Sequence, residues 1–298
     1  PFLPLALASE HAPDLDIATG IAVAFPRNPS HIAYQAWDLQ KFSQGKFMLG
    51  IGSQIKAHIE KRFGLPFGPP AARMREYILA VKAFFDCWQN GTKLDFQGEY
   101  YRHTLMTPMF NPGPNPYGVP PILLGALGPL MTQVAGEVAD GLIIHPFNSV
   151  PFVQENALPA VRKGLDKSAR SEDDFIIQVN AIVITGETDE AYHAAEQSVK
   201  GLLGFYSSTP AYRPPMDAVG LGDLQPKLNA LSKEGKWEQL GNYINDEFLD
   251  AFCVRGKPED IAGKLKEQYG SYADRLAIYA PYAAPDDMWA KIIKDLKS

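Results

Sequence analysis

The chain has 298 residues and a formal net charge of −6, and this acidity argues against nucleic acid as a main partner because such binding needs a basic surface. Hydrophobic residues make up 46% of it, which predicts a globular protein, and no apolar run reaches the roughly 18 residues of a membrane-spanning helix. The low cysteine content fits a reducing cytoplasm. The only two cysteines, Cys87 and Cys253, lie far apart and outside any CxxC pattern, which predicts neither a disulfide nor a zinc site, and we expect no bound metal.

Short apolar runs alternate with amphipathic helical patterns along the chain. This alternation predicts βαβ units and a parallel sheet. The predicted strands cover residues 17–25, 47–51, 121–125, 141–145, 175–184 and 275–280. Parallel barrels often reach this length as one domain, so we expect a single domain over residues 1–298.

Several segments between these strands have their own signature. Apolar stripes at helical spacing over residues 74–88 and 130–138 predict helices that pack on a core. Residues 94–103 predict a β-hairpin inserted beside the barrel. A helix predicted over residues 188–206 begins a region that we interpret as a helical insertion near residues 200–250.

The strongest local signal for a ligand follows the predicted strand at residues 121–125. Gly125 and Gly128 make a tight turn there, and Pro129 suits the first position of a helix. Free N–H groups at such a helix start bind phosphate, and glycine lets the phosphate come close. A plain strand-to-helix turn without a ligand explains the same residues.

Polar side chains follow two of the predicted strands. Ser53 and Gln54 come after the strand at residues 47–51, with His58 shortly beyond, and His145 ends the strand at residues 141–145. Ligands bind at the carboxyl ends of the strands in a parallel barrel, so these residues predict one ligand pocket. A solvated helix face for His58 and a structural role for His145 are the alternatives.

A longer pattern resembles a known family. Gly125-Ala126-Leu127-Gly128-Pro129, followed by Val134-Ala135-Gly136-Glu137-Val138-Ala139-Asp140-Gly141, resembles the cofactor-phosphate segment of luciferase-like oxidoreductases, especially those that use the deazaflavin coenzyme F-420. The resemblance continues through residues 47–53, 73–77 and 96–101 and covers nearly the whole chain. It implies an α/β fold, a parallel (β/α)8 TIM-type barrel of the bacterial-luciferase type. In this family, two strands and a helix precede the segment that corresponds to Pro1 of this chain. We therefore expect a barrel without its first two strands.

The resemblance also implies roles for individual residues. Gly125, Ala126, Leu127 and Gly128 match the loop that wraps the cofactor phosphate, and Ala22 and Val23 match a strand bulge, often with a non-prolyl cis peptide, that supports the ring. Ser53, Gln54 and His58 match positions along the ring and the substrate, with His58 as the candidate proton donor or acceptor, while His145 matches a position near the phosphate.

The function that the resemblance implies is hydride transfer between coenzyme F-420 and an organic small molecule, by a homodimeric enzyme. An FMN-dependent monooxygenase and a non-catalytic flavin-binding relative on the same fold are the alternatives. The sequence departs from the related F-420-dependent sugar-phosphate dehydrogenases at two positions. Their catalytic Glu aligns with Ile55, and their phosphate-facing Lys aligns with Asn148. The family's second strand usually ends in an acid–base pair, so we expect the principal acid–base residues outside this sequence.

Overall fold

The structure, a computed structural model, describes residues 1–298 and divides into two compact units. Unit 1 consists of Pro1–Ile143 with Ala160–Ile176, and unit 2 consists of Ile144–Pro159 with Ile177–Ser298. No helix combines the length and the apolar character that a membrane span requires. The single domain that the sequence indicates stays a prediction.

Strands and helices alternate along most of the chain, as the apolar pattern predicts. The strands are β1 (Ile17–Ala18), β2 (Ala22–Val23), β3 (Phe47–Gly52), β4 (Phe96–Gln97), β5 (Arg102–His103), β6 (Ile122–Ala126), β7 (Gly141–Ile144), β8 (Ile176–Ile184), β9 (Cys253–Arg255) and β10 (Arg275–Tyr279). The α-helices are α1 (Phe2–His11), α2 (Pro29–Phe42), α3 (Pro70–Asn90), α4 (Pro129–Val138), α5 (Val150–Phe152), α6 (Leu158–Lys167), α7 (Asp189–Ser207), α8 (Arg213–Asp217), α9 (Leu224–Lys233), α10 (Asp246–Phe252), α11 (Pro258–Tyr269) and α12 (Asp286–Lys297). Two π-helices cover His58–Arg62 and Val153–Ala157, and 3-10 helices cover Pro108–Phe110, Pro210–Tyr212 and Trp237–Tyr243.

Unit 1 is built on a parallel sheet with the strand order β1-β3-β6-β7, in which β2 also pairs with β3. Every residue of β3 is buried, which is the pattern of a central parallel strand covered on both faces. Helices α2 and α3 pack through aromatic side chains, and Trp37 stacks on Phe85 with ring centroids 5.5 Å apart. The apolar stripe of α3 is therefore core, as its spacing predicts.

The prediction of one continuous strand over residues 17–25 is wrong. The structure has two short strands, β1 and β2, separated by Thr19–Ile21. Between them, the Thr19 carbonyl occupies the place that a Cβ of Gly50 in β3 would take, and the Thr19 hydroxyl donates to the Gly50 carbonyl at 2.6 Å. Strand β9 is also absent from the sequence prediction, since a strand of three residues is too short to give a periodic signal.

Unit 2 contains β8 with β9 and β10 paired parallel to it on either side. Ile182 of β8 pairs with Cys253 of β9 and with Tyr279 of β10. The core beside these strands joins side chains from α7 and α10, and Phe147 stacks on Phe252 with ring centroids 4.6 Å apart. The helix predicted over residues 188–206 forms as α7.

The predicted hairpin forms in unit 1 from the antiparallel strands β4 and β5. Its turn closes where the Gly98 N–H donates to the Tyr101 carbonyl at 2.9 Å. The Glu76 carboxylate of α3 accepts the backbone N–H groups of Glu99 at 2.9 Å, Tyr100 at 2.7 Å and Tyr101 at 2.5 Å. One carboxylate thus fixes the hairpin to α3.

A second carboxylate joins three helices of unit 1. Glu137 of α4 is buried and accepts Arg75 Nε of α3 at 2.6 Å and Lys167 Nζ of α6 at 2.9 Å. Burial raises the pKa of this carboxyl, but the hydrogen bonds and charges of the two cations outweigh it, so the pKa of Glu137 lies below its ordinary value of 4.5. The pair of cations therefore keeps Glu137 ionised in the folded state.

Replacing this carboxylate should destabilise unit 1 in a pH-dependent way. We expect Glu137→Gln to lower the free energy of unfolding near pH 7 by about 1–3 kcal/mol, the range for lost charged hydrogen bonds. A carboxyl with a lowered folded-state pKa contributes stability above its unfolded pKa and loses it as the pH falls through the folded pKa. The difference from wild type should therefore shrink on acidification below pH 4.5, and urea unfolding at two pH values measures it.

The exposed pair of Arg162 and Glu172 in the same unit provides the control, with 2.9 Å between Arg162 Nε and Glu172 Oε1. Exposed pairs contribute little to stability, so Glu172→Gln should unfold almost as the wild type does. An equal loss of stability in both variants would contradict a special role for the buried carboxylate.

Candidate active site

The segment from Gly125 to Gly128 forms the turn that the sequence predicts. Strand β6 ends at Ala126, Gly128 is the N-cap residue, and α4 begins at Pro129 without a side-chain cap. The N–H groups of the first helical turn have no acceptor within the helix. Gly128 is exposed, and a Cβ built on it would meet no atom within 4 Å. The helix start thus presents backbone donors and the positive end of its dipole to open space.

The segment before β2 carries a backbone feature that the resemblance implies. A non-prolyl cis peptide bond joins Gly20 and Ile21, directly before the predicted pair Ala22 and Val23. Ala22 and Val23 themselves form β2 and pair with the end of β3. The cis bond thus precedes the two residues that match the strand bulge of the family.

Ile21 is a site residue that sequence reasoning missed. A Cβ on Gly52 would stand 3.0 Å from Ile21 Cδ1, and a Cβ on Gly125 would stand 3.0 Å from Ile21 Cγ2. The Ile21 side chain therefore lies over two glycines at the carboxyl ends of β3 and β6. The sequence signal for this contact is the glycine at positions 52 and 125, because glycine in a strand often marks the close approach of another group.

Ser53, Gln54 and His58 follow the carboxyl end of β3. Gln54 has a φ of 63°, which is uncommon for a residue other than glycine, and its Oε1 accepts the Ile55 N–H at 3.0 Å. The Ser53 hydroxyl donates to the Gln54 carbonyl at 3.1 Å. His58 begins a π-helix, an element often found at functional sites, and its Nδ1 is buried without a hydrogen-bond partner. The imidazole thus keeps an unused hydrogen-bonding atom in this turn.

Strand register brings most of these residues to the carboxyl-terminal end of the unit 1 sheet. Val23 pairs with Gly52, and Ile51 pairs with Leu124, so β2, β3 and β6 end side by side. Neighbouring strands lie about 4.8 Å apart. The predicted residues of β2, the turn after β3 and the glycine turn after β6 therefore occupy three adjacent strand ends.

His145 belongs to unit 2 and lies in an aromatic cluster. Its Nδ1 accepts the Phe147 N–H at 3.1 Å, so the proton of the neutral ring is on Nε2. Its ring centroid is 4.7 Å from that of Tyr212 and 5.1 Å from that of Tyr206. Burial lowers the pKa of His145 to about 4, so the ring is neutral at pH 7. Its predicted convergence with the polar residues after β3 stays a prediction.

Comparison with known proteins identifies the family. The model of the luciferase-like monooxygenase family matches residues 1–275, and the chain belongs to this family. An uncharacterised protein of Mycobacterium tuberculosis is 48% identical over 276 residues, which cover 93% of this chain and 81% of that protein. A 5,10-methylenetetrahydromethanopterin reductase of Archaeoglobus fulgidus is 26% identical over 254 residues, which cover 85% of this chain and 73% of that protein.

Solved structures show the fold. The coenzyme F-420-dependent tetrahydromethanopterin reductase from Methanopyrus kandleri matches with a TM-score of 0.77 at 21% identity, over 99% of this chain and 85% of that one. The EDTA monooxygenase of a Chelativorans species matches with a TM-score of 0.66 at 16% identity, over 99% of this chain and 75% of that one. The predicted fold class, the α/β fold of the luciferase-like TIM-type barrels, is confirmed.

Replacing His145 should change how stability depends on pH. The folded-state pKa of about 4 lies below the ordinary 6.5, so the unfolded chain takes up the proton more readily and stability falls as the pH drops from 6.5 towards 4. We expect His145→Phe to remove about 2 kcal/mol of the stability loss between pH 7 and pH 5, measured by urea unfolding. The Phe147 N–H loses its acceptor at both pH values, so this loss does not affect the comparison.

His193, which is exposed on α7 of the same unit, provides the control for this experiment. His193→Gln should keep the pH dependence of the wild type. An unchanged pH dependence in His145→Phe would mean that the buried ring takes up its proton as readily as the unfolded chain does.

Proposed function

We propose that this protein is an oxidoreductase that transfers a hydride between coenzyme F-420 and an organic small molecule. The observation that carries the proposal is the uncapped start of α4 behind Gly125 and Gly128, in a chain of the luciferase-like family. The methylenetetrahydromethanopterin reductase at 26% identity supports the activity, and the F-420-dependent reductase of the same fold supports the choice of cofactor. A cytoplasmic location and a homodimer belong to the same proposal.

The residues around α4 fit a cofactor phosphate. The exposed Cα of Gly128 leaves space for a phosphate oxygen, and the first-turn N–H groups supply donors that no side chain occupies. The helix dipole adds positive potential at the same point. Gly125, Ala126, Leu127 and Gly128 would therefore hold the phosphate, with Ala22, Val23, Ser53 and Gln54 along the ring.

The deazaflavin, when bound, supplies the position that accepts or donates the hydride. The protein contributes orientation, exclusion of water and a group that holds a proton. We assign the proton to His58, whose buried Nδ1 has no other partner. His145 stays neutral at pH 7 because it is buried, and its predicted position near the phosphate stays a prediction.

Titration with coenzyme F-420 and with FMN tests the choice of cofactor. The chain has 4 tryptophans, and we expect micromolar F-420 to quench their fluorescence saturably, with FMN binding more weakly. Tighter binding of FMN would replace the proposal with an FMN-dependent monooxygenase, and the Chelativorans neighbour is a monooxygenase of this fold. If neither compound binds, the non-catalytic alternative replaces it.

The variant Gly128→Asp should weaken cofactor binding far more than it weakens folding. It adds a carboxylate where the phosphate must approach, and the open space around Gly128 accepts the new side chain without a clash. We expect at least about a ten-fold loss of affinity, the effect of mispairing one charged hydrogen-bonding group. Gly263→Asp, at an exposed and equally open glycine of α11, is the matched control. Equal affinity in both variants would refute the phosphate assignment.

Histidine NMR tests the place of His58 without a known substrate. In protein labelled with 15N-histidine, the ring signals of His58 should shift when the cofactor saturates the protein. Those of His11, which is exposed on α1, should stay in place. His58→Ala should leave the cofactor affinity within a few-fold, because its assigned role is proton transfer and not anchoring. If the cofactor binds and the His58 signals do not move, His58 does not line the ring.

A further inference from the structure

Two arginines near the carboxyl end of β2 have no carboxylate partner. Arg27 donates from Nη1 to the Val23 carbonyl at 2.6 Å, and the Arg73 guanidinium carbon lies 4.3 Å from the centroid of the Phe25 ring. Both side chains are half-buried. Other arginines of the protein form ion pairs with carboxylates, namely Arg75, Arg162, Arg170, Arg213 and Arg255. A partly buried cation without a counter-ion is costly, so this pair needs an explanation.

Arg73 is held in place by neutral groups. Its Nε donates to the Tyr101 hydroxyl at 3.0 Å, and its Nη1 donates to the Pro66 carbonyl at 2.8 Å. Glu76, one turn further along α3, forms no ion pair with it, and that carboxylate accepts three N–H groups of the hairpin instead. Arg73 therefore has no carboxylate partner, and its Nη2 is left for another acceptor.

A buried hydroxyl lies near the same two arginines. Tyr77 is fully buried, and its hydroxyl has no hydrogen-bond partner. Its ring packs edge-on against Tyr101 with centroids 5.4 Å apart. Burial, and then Tyr101, raises the pKa of Tyr77, while the positive charges of Arg27 and Arg73 act in the opposite direction. One unused O–H donor and two guanidinium groups without a carboxylate partner thus lie around the Tyr101 ring and the end of β2 in unit 1.

We propose that Arg27, Arg73 and Tyr77 form a binding site for an oxyanion group, a carboxylate or phosphate, of the substrate. A guanidinium fork matches the geometry of both groups and binds them through paired N–H donors. The site is separate from the glycine turn after β6, because β3 lies between β2 and β6 and two strand spacings amount to about 10 Å. The assignment to the substrate rests on the proposed function, whereas the anion site itself does not.

Anion binding can be measured on the protein alone. The probes are malonate, which carries carboxylates, and inorganic phosphate. Each is added at constant ionic strength, and chloride is the reference anion. The readout is the rise of the melting temperature with the concentration of the anion. We expect Arg27→Gln to weaken binding of the preferred anion at least about ten-fold. Arg62→Gln, at an exposed arginine that contacts only the ring of Phe63, should bind as the wild type does. The preferred anion indicates which oxyanion the substrate carries.

Gly128→Asp separates this proposal from the proposed function. An anion response that survives in Gly128→Asp and is lost in Arg27→Gln belongs to the arginine site. A response that is lost in Gly128→Asp and kept in Arg27→Gln belongs to the glycine turn alone, which would overturn the arginine site and leave the cofactor assignment intact.

Tyr77→Phe adds a readout that a purely structural tyrosine would not give. Removing a buried hydroxyl without a partner should leave the melting temperature in chloride unchanged or higher. The same variant should bind the anion several-fold more weakly. A lower melting temperature in chloride with wild-type anion affinity would mean that the hydroxyl serves the core, and the tyrosine would then be removed from the site.

Discussion

The Thr19 carbonyl lies against Gly50 of β3, the central strand of unit 1. This contact leaves no room for a side chain at position 50. The Thr19 hydroxyl donates to the Gly50 carbonyl at 2.6 Å, so the segment before β2 is held to β3 by its backbone and by its side chain. Only glycine lets two backbones approach so closely. The place of β2, and with it the places of Val23 and Arg27, depends on this contact, because β2 begins only three residues after Thr19.

The same steric rule extends to the strand ends that make the candidate site. Ile21 lies over Gly52 and Gly125, so one apolar side chain backs the ends of two neighbouring strands. A Cβ at either glycine would stand 3.0 Å from this side chain, so Ile21 would have to shift by a few tenths of an ångström. The site is therefore built on a surface fixed by packing, and such a scaffold can hold a ring and a phosphate at a constant distance. Its polar groups come from the turns that follow.

Much of the fold could be predicted because buried parallel strands are apolar runs. The predicted ranges for β3, β6 and β7 differ from the structure by no more than about one residue at either end, the usual precision of such boundaries. The break between β1 and β2 was missed although Thr19 and Gly20 interrupt the apolar run, because the residue that Thr19 contacts, Gly50, lies 31 residues away. The glycine turn before α4 was predictable for the opposite reason, because strand, glycine and proline follow one another in the sequence.

The arginine site could not be predicted because the partners of Arg73 and Glu76 come from a distant segment of the chain. Arg73 and Glu76 stand three residues apart on α3, and such a spacing in a helix predicts an ion pair. The hairpin changes this, because its backbone N–H groups bind the Glu76 carboxylate and its Tyr101 hydroxyl accepts from Arg73. These contacts take the place of an ion pair between the two side chains. The Arg73 guanidinium is therefore left without a carboxylate partner because of how the hairpin folds onto α3.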